Sequence, residues 1–188
     1  MISNAAPLWG GGAYGSTLNN CTVVGNYGGQ QGAGIYGGSA YNSILFDNYK
    51  FGGVIENFGA RYWWEVTLAY CCTTPMPGNG WANFTDAPQF VNPAAGNFRL
   101  QPPSPCIDVG NNGYAYAGST DLDGNRRIMG TAVDVGAYEF VPANLAAFNQ
   151  WLQSYNLPVD GSADFSDSDN DGLNNWQEYI AGTAPTGR

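Results

Sequence analysis

Residues 10–26 read GGGAYGSTLNNCTVVGN and residues 32–48 read GAGIYGGSAYNSILFDN. The two align without a gap, with Gly10/Gly32, Gly12/Gly34, Tyr14/Tyr36, Gly15/Gly37, Asn20/Asn42 and Asn26/Asn48 identical, at a period of about 22 residues. A fainter copy, VTLAYCC at 66–72, falls on STLNNCT at 16–22 and sets Cys71 on the Cys21 position. A period in the low twenties, with short β-rich runs, Gly turns and recurring Asn, marks a chain whose units stack to share one core. Leucine-rich repeats share the period, but their Leu spacing is absent here. The pattern predicts a mainly β fold, a short parallel β-helix of about three coils, with TLNNCTVV, NSILF and WWEVTLAY as strands. Asn20 and Asn42 in register predict an amide ladder between neighbouring coils, against the plainer reading that Asn tolerates tight turns.

The bulk numbers narrow the chemistry. A length of 188 residues suits one domain, or one domain plus a small appendage. Fifteen acids against six bases give a net charge of −9, which argues against nucleic acid and anionic membrane surfaces and favours cations. Twenty-seven glycines, 14% aromatics and a single lysine, Lys50, fit short strands, tight turns and few surface helices. There is no histidine. That removes the commonest general base, the Ser-His and Cys-His nucleophile pairs and the commonest zinc ligand. No Gly-x-Ser-x-Gly elbow is present. The start, MISNAAPLWGGG, carries neither a basic nor an apolar signal region, and no stretch reaches membrane-spanning length. Cys21, Cys71, Cys72 and Cys106 form no Cys-x-x-Cys pair. Two readings stand: a disulfide from Cys106 to Cys71 or Cys72 in an exported protein, or small buried thiols in a core.

After residue 72 the period is lost. Residues 73–120 are rich in Pro, Gly and Asn, with short apolar pieces PQFVN and NFRLQ, and DLDGNRR leads to the strand-like VDVGAYEF at 133–140. Composition shifts near 141, which predicts a β domain with its cap over 1–141 and a helical tail over 142–188. In the tail, Leu145, Phe148, Leu152 and Tyr155 stand at helical spacing behind Pro142, and NNWQEYIAG reads as a second short helix ended by Gly182.

Between these helices lies DSDNDGLNNWQE, residues 167–178. In a 12-residue calcium loop, side-chain oxygens come from positions 1, 3 and 5, glycine turns the chain at 6, a carbonyl serves at 7, position 9 often acts through water, and a bidentate Glu closes at 12. Counting from Asp167 puts Asp169, Asp171, Gly172, Leu173, Asn175 and Glu178 in those slots. The predicted calcium ligands are therefore Asp167, Asp169, Asp171, Leu173, Asn175 and Glu178, with Asp164 a candidate extra ligand upstream. The plainer alternative is a solvated turn with a helix cap.

GNFRLQPPSPCIDVGNNG followed by TDLDGNRRIMGTAVDVGAYEF resembles the C-terminal end of bacterial right-handed parallel β-helix proteins of the choice-of-anchor type. The Gly-Gly-Gly-x-Tyr and Leu-Asn-Asn-Cys coils and YCCTTP belong to the same pattern, and residues 150–187 resemble the tail in which a helix precedes one Asp-rich, EF-hand- or dockerin-like calcium loop. The resemblance implies a right-handed β-helix with an irregular C-terminal cap, in an extracellular or surface-attached bacterial protein, and does not imply a reaction. Such tails commonly end Gly-Thr-Asp-Pro, where this chain has Gly182-Thr183-Ala184-Pro185. If that Asp is a ligand, the change implies weaker calcium binding. Family members usually carry many coils. Three are near the minimum for stacking, and an end without a cap invites pairing with another chain. The expectation is a homo-oligomer built through residues 1–30.

Other constellations are less specific. Asp121, Asp123, Arg126, Arg127, Asp134 and Glu139 read as a charge-paired turn across two strands, ahead of a second calcium site or a catalytic acid cluster. Tyr62, Trp63 and Trp64, with Trp81 and Phe84, form a candidate sugar platform or a buried patch; adjacent Trp residues on a strand point to opposite faces. The leading functional reading is a calcium-binding module that binds glycan or a partner protein. The competing one is a calcium-dependent hydrolase of a small ester or lactone, or a polysaccharide lyase, with Lys50, Arg61 and Arg99 as candidate bases and no assigned catalytic residue.

Overall fold

A computed structural model describes residues 1–116, 118–159, 161–164 and 166–187, and for Trp63 the backbone alone. Met1–Phe140 and Val141–Arg188 form two compact units. Among the described residues the first unit carries fourteen short strands in chain order: β1 (Ala5–Ala6), β2 (Ala13–Asn19), β3 (Thr22–Val24), β4 (Tyr27–Gly28), β5 (Ile35–Tyr41), β6 (Ile44–Phe46), β7 (Tyr49–Lys50), β8 (Val54–Ile55), β9 (Phe58–Gly59), β10 (Val66–Ala69), β11 (Cys72–Thr73), β12 (Gly80–Trp81), β13 (Phe90–Asn92) and β14 (Asn97–Leu100).

The fold is mainly β, and most pairing is parallel. One sheet runs β1-β4-β7, with β8 added antiparallel; a second runs β2-β5-β10-β12, with β9 also on β5; a third runs β3-β6-β11. Corresponding positions meet: Leu18 pairs with Ala40 and Ala40 with Leu68, while Thr22 pairs with Ile44 and Ile44 with Cys72. β13 and β14 form a separate antiparallel pair.

The run TLNNCTVV is not one strand. It breaks at Asn20, whose φ of 50° is left-handed, and Asn42 (47°) and Tyr70 (54°) break the other repeats at the equivalent place. Asn enters that region at low cost because its short polar side chain bonds locally. The bend passes the chain from the second sheet to the third. Asn42 also donates Nδ2 to Asn20 Oδ1 at 3.1 Å, so the anticipated ladder is present. A longer ladder runs from the exposed Asn4 to Asn26 at 3.0 Å and then through the buried Asn26, Asn48 and Asn57, at 2.8 Å and 3.0 Å.

Inward residues of the sheets make the core: Val23, Ile35, Ala40, Leu45, Val66, Leu68 and Cys71, with Leu18 and Phe58 packed against them. Each fully buried Val, Leu or Ile contributes about 1.5–3 kcal/mol relative to exposure. A second cluster of Ile44, Cys72, Leu100, Cys106 and Val135 ties the third sheet to the irregular segment. Gly38, at φ 85°, sits where a Cβ would lie 2.2 Å from the Ser16 carbonyl, so only glycine lets β2 and β5 approach.

Two expectations need correction. Residues Trp63–Glu65 form a 3-10 turn, and the strand begins only at Val66. The alternation argument for adjacent Trp residues therefore lapses, and the side chain of Trp63 lies outside the described residues. Residues 133–140 form no strand. Their donors scatter, Val135 N–H to Cys106 O at 2.8 Å and Gly136 N–H to Asn42 O at 2.9 Å, so no single ladder forms.

The second unit holds α1 (Leu145–Ser154) and α2 (Asn175–Ala181). Phe148 and Leu152 are buried, with Trp176 packed edge-on against Phe148 at 4.7 Å and Tyr179 at 5.3 Å. Tyr155 caps α1 instead of extending it, and Gly182 closes α2 at a left-handed φ of 75°. No helix among the described residues is long and apolar enough to cross a membrane.

Candidate functional site

The loop before α2 concentrates the charge. Asp167, Asp169 and Asp171 each offer a carboxylate oxygen within 4.8 Å of the others. Backbone donors fold the loop inward: Asp171 N–H and Gly172 N–H donate to Asp167 at 3.2 and 3.0 Å, and Leu173 N–H donates to Asp171 at 2.8 Å. Gly172, at φ 96°, supplies the turn that a side chain would strain. These amides offset part of the mutual repulsion but leave three anions crowded together.

Glu178, on α2, lies outside that cluster but within the field of its charges. It is fully buried, and neither carboxylate oxygen has a hydrogen-bond partner; Asp169 Oδ2 is likewise unpartnered. Burial first, and then the charges of Asp169, Asp171 and Asp167, push the Glu178 carboxyl above its usual range. A buried carboxylate without a partner is strongly unfavourable unless a cation or donor compensates it. The donor set is all oxygen, with no sulfur or imidazole, which suits a hard cation such as calcium or magnesium. The clustered carboxylates of Asp167, Asp169 and Asp171 could hold such a cation, and their charges reach Glu178.

The other predicted ligands are placed differently. Leu173, at the carbonyl position, is half-buried and its N–H is taken by Asp171. Asn175 is buried as the first residue of α2; its Nδ2 donates to Ala163 O at 2.7 Å and its Oδ1 accepts from Ser168 at 3.4 Å. Its amide stitches the loop to the chain before it. Asp164 is buried, and its carbonyl accepts from Trp176 N–H at 2.9 Å. Sequence reading passed over the cap of α2, in which Asn174 and Gln177 bond each other's backbone. The signal was there: Asn followed three residues later by Gln, just ahead of the helix.

The first unit holds a second acidic group, and its hydrogen bonds are largely internal. Asp121 accepts from the N–H groups of Asp123, Asn125 and Glu139, while Arg127 faces Glu139 at 3.3 Å and donates to the carbonyls of Asn20 and Gly136. Burial pushes Asp134 up to about 6 and Glu139 up to about 9, and it lowers Arg127. Of the candidate bases, Lys50 pairs with Glu56 at 2.8 Å and Arg99 with Asp123, while Arg61 lies over the Tyr62 ring.

The aromatic run divides. Tyr62 and Trp64 stack at 4.7 Å, Trp81 stands exposed on β12, and Phe84 packs into the core beside Cys72. A separate group was missed: Trp9, Tyr14 and Tyr36 lie within 5.6–6.4 Å of one another at the edge of a cleft of about 660 Å³. The identity of Tyr14 and Tyr36 across the repeat was its sequence signal. No protein-family model matches the chain, and neither a curated protein nor a solved structure matches it.

Proposed function

We propose that this chain is a calcium-stabilised module of an extracellular or surface-attached protein. In this reading it is a short right-handed parallel β-helix of about three coils, of the choice-of-anchor type, with an irregular cap and a helical calcium-binding tail. It binds glycan or a partner protein and turns over no substrate. Three separate parallel sheets support the β-helix part, because equivalent residues of successive repeats pair in each of them. The calcium part is carried by one observation: a fully buried Glu178 carboxylate without a partner, in the field of three clustered aspartates. When bound, calcium supplies the positive charge that lets these four carboxylates coexist and ties α2 to the loop. Ion pairs engage Lys50 and Arg99, two of the three candidate bases of the competing lyase reading.

Calorimetric titration with calcium chloride is the test, with a melting curve in calcium and in chelator. The expected affinity lies between about micromolar and millimolar, and the melting temperature rises with calcium because the ion binds the folded loop. Absence of binding at millimolar calcium overturns the metal site. Calcium-dependent turnover of esters, lactones or uronic-acid polymers, abolished by one acid substitution in a folded variant, overturns the non-catalytic reading.

A further inference from the structure

The cleft of about 660 Å³ beside Trp9, Tyr14 and Tyr36 has the size of a small-molecule site. The three rings form one aromatic surface. Tyr14 and Tyr36 stack at 5.6 Å and 14°, as their pairing between β2 and β5 requires, and Trp9 closes on Tyr36 at 5.8 Å and 26°. Tyr14 remains 61% exposed and Trp9 41%, so large ring faces stand open to solvent. The rest of the lining is polar: Gln30, Gln31, Arg61 and Glu65. The side-chain amides of the two glutamines make no hydrogen bond among the described residues, and the Glu65 carboxylate accepts only the Tyr62 N–H, at 3.2 Å.

An apolar face beside unengaged planar hydrogen-bonding groups matches the two sides of a pyranose ring. Axial C–H groups of an equatorially substituted sugar make a flat apolar face that lies on an aromatic ring. Its hydroxyls, paired on neighbouring carbons, bond amide, carboxylate and guanidinium groups in bidentate fashion. One cation and one anion line the cleft, so its own formal charge is balanced. The chain carries −9 overall, which disfavours a polyanion.

We propose that this cleft binds a neutral oligosaccharide built from equatorially linked pyranoses. The proposal names the ligand class for the glycan-binding part of the reading above and stands apart from the calcium part.

The test is titration of the full chain with cellohexaose and xylohexaose, followed by calorimetry and tryptophan fluorescence, in calcium and in chelator. Saturable binding of at least one probe is expected, with a fluorescence change that Trp9→Ala removes. Trp9→Ala and Tyr14→Ala each weaken affinity about tenfold, the loss of one ring's stacking. Trp81→Ala, at an exposed Trp outside the cleft, leaves affinity unchanged, and melting curves check that all three variants fold. Absence of binding at millimolar oligosaccharide overturns the proposal, as does affinity that survives both cleft substitutions. Preference for an oligogalacturonate overturns the neutral class. Binding that is equal in chelator and calcium keeps the two readings separable, because either then fails without the other.

Discussion

Asn26 donates Nδ2 to the Oδ1 of Asn48 at 2.8 Å, and the backbone N–H of Asn26 reaches the same oxygen at 3.0 Å. Asn48 repeats the double bond on Asn57, and its Nδ2 also reaches the carbonyls of Val23 and Phe46. All three side chains are inaccessible to solvent. A buried amide with every donor and acceptor engaged fixes which residue lies above which.

Replacing Asn48 by Ala removes one partner from several buried groups at once, the Asn26 N–H and the Val23 carbonyl among them. The expected destabilisation is about 3 kcal/mol or more, because each orphaned buried group costs roughly 1–3 kcal/mol. Asn20 is only half-buried, and Asn20→Ala costs about 1 kcal/mol. Urea denaturation of both variants checks the order.

Glu178→Gln separates the two roles of the loop. Without calcium, the variant removes a buried charge repelled by Asp167, Asp169 and Asp171, so its melting temperature exceeds that of the parent in chelator. With calcium the increment shrinks or vanishes, because a bidentate anionic ligand is gone. A variant that melts lower than the parent in chelator contradicts this account.

Much of this loop was readable in advance, since the spacing from Asp167 to Glu178 alone locates a crowd of oxygens. The packing of Asn175 into the Ala163 carbonyl was not, because position 9 of a calcium loop and the first residue of a buried helix take the same amino acid. The 22-residue identities revealed paired sheets and the Asn20–Asn42 ladder. They did not reveal the ladder through Asn57, which lies only nine residues beyond Asn48 and so falls outside any fixed period. VDVGAYEF has the alternation of a strand, and its tertiary hydrogen bonds to Cys106 and Asn42 override it.

The pH dependence of the first unit follows from Asp134 and Glu139. Asp134 is held near 6 by burial against the bonds from Phe140 and Asp108, and Glu139 near 9 by burial and Asp134, with Arg127 opposing and Asp121 adding. Both carboxyls ionise lower in the unfolded chain, so between those values the folded state binds more protons. The contribution of these two groups is full below about pH 4 and falls as pH rises through 6 and on towards 9. The Asp134 part is on the order of 3 kcal/mol. Hydrogen exchange at the Val135 and Gly136 amides, corrected for intrinsic rates, is expected to show stronger protection at pH 5 than at pH 8. Glu139→Gln flattens that difference.

Cys72 and Cys106 share a buried cluster in which the Cys72 thiol donates to the Asp86 carbonyl at 3.1 Å, whereas Cys71 donates to the Ala40 carbonyl at 3.3 Å. Burial holds Cys71 up at about 12, and the neighbouring Cys106 thiol, followed by burial, raises Cys72, so the native thiols react slowly. Refolding in a mixture of reduced and oxidised glutathione is expected to form one disulfide, Cys72–Cys106. Mass spectrometry then finds the loss of two hydrogens and a single cross-linked peptide. A cross-link through Cys71 contradicts the packing.

Residues 1–9 lie partly over the first repeat: Ala5 and Ala6 pair with Tyr27 and Gly28, and Ile2 bridges Val24. β2, by contrast, pairs with β5 on one side only among the described residues. An open edge of seven residues is a template for another chain. Light scattering of the isolated chain is expected to show a dimer or larger species that a Leu18→Pro substitution in β2 weakens. A clean monomer of about 20 kDa at high concentration rules it out.

The hairpin of β7 and β8 leaves the repeat after Asn48 and returns at Asn57, which docks on Asn48 as though no residues intervened. Its tip, Phe51 to Gly53, projects into open space. The stack therefore keeps its reading frame by recognising amides and not by counting residues. Gly52 and Gly53 mark a place where foreign peptide enters without shifting anything downstream. Evolution, or an engineer, has there a ready-made socket for display on a scaffold whose alignment is restored by the next asparagine.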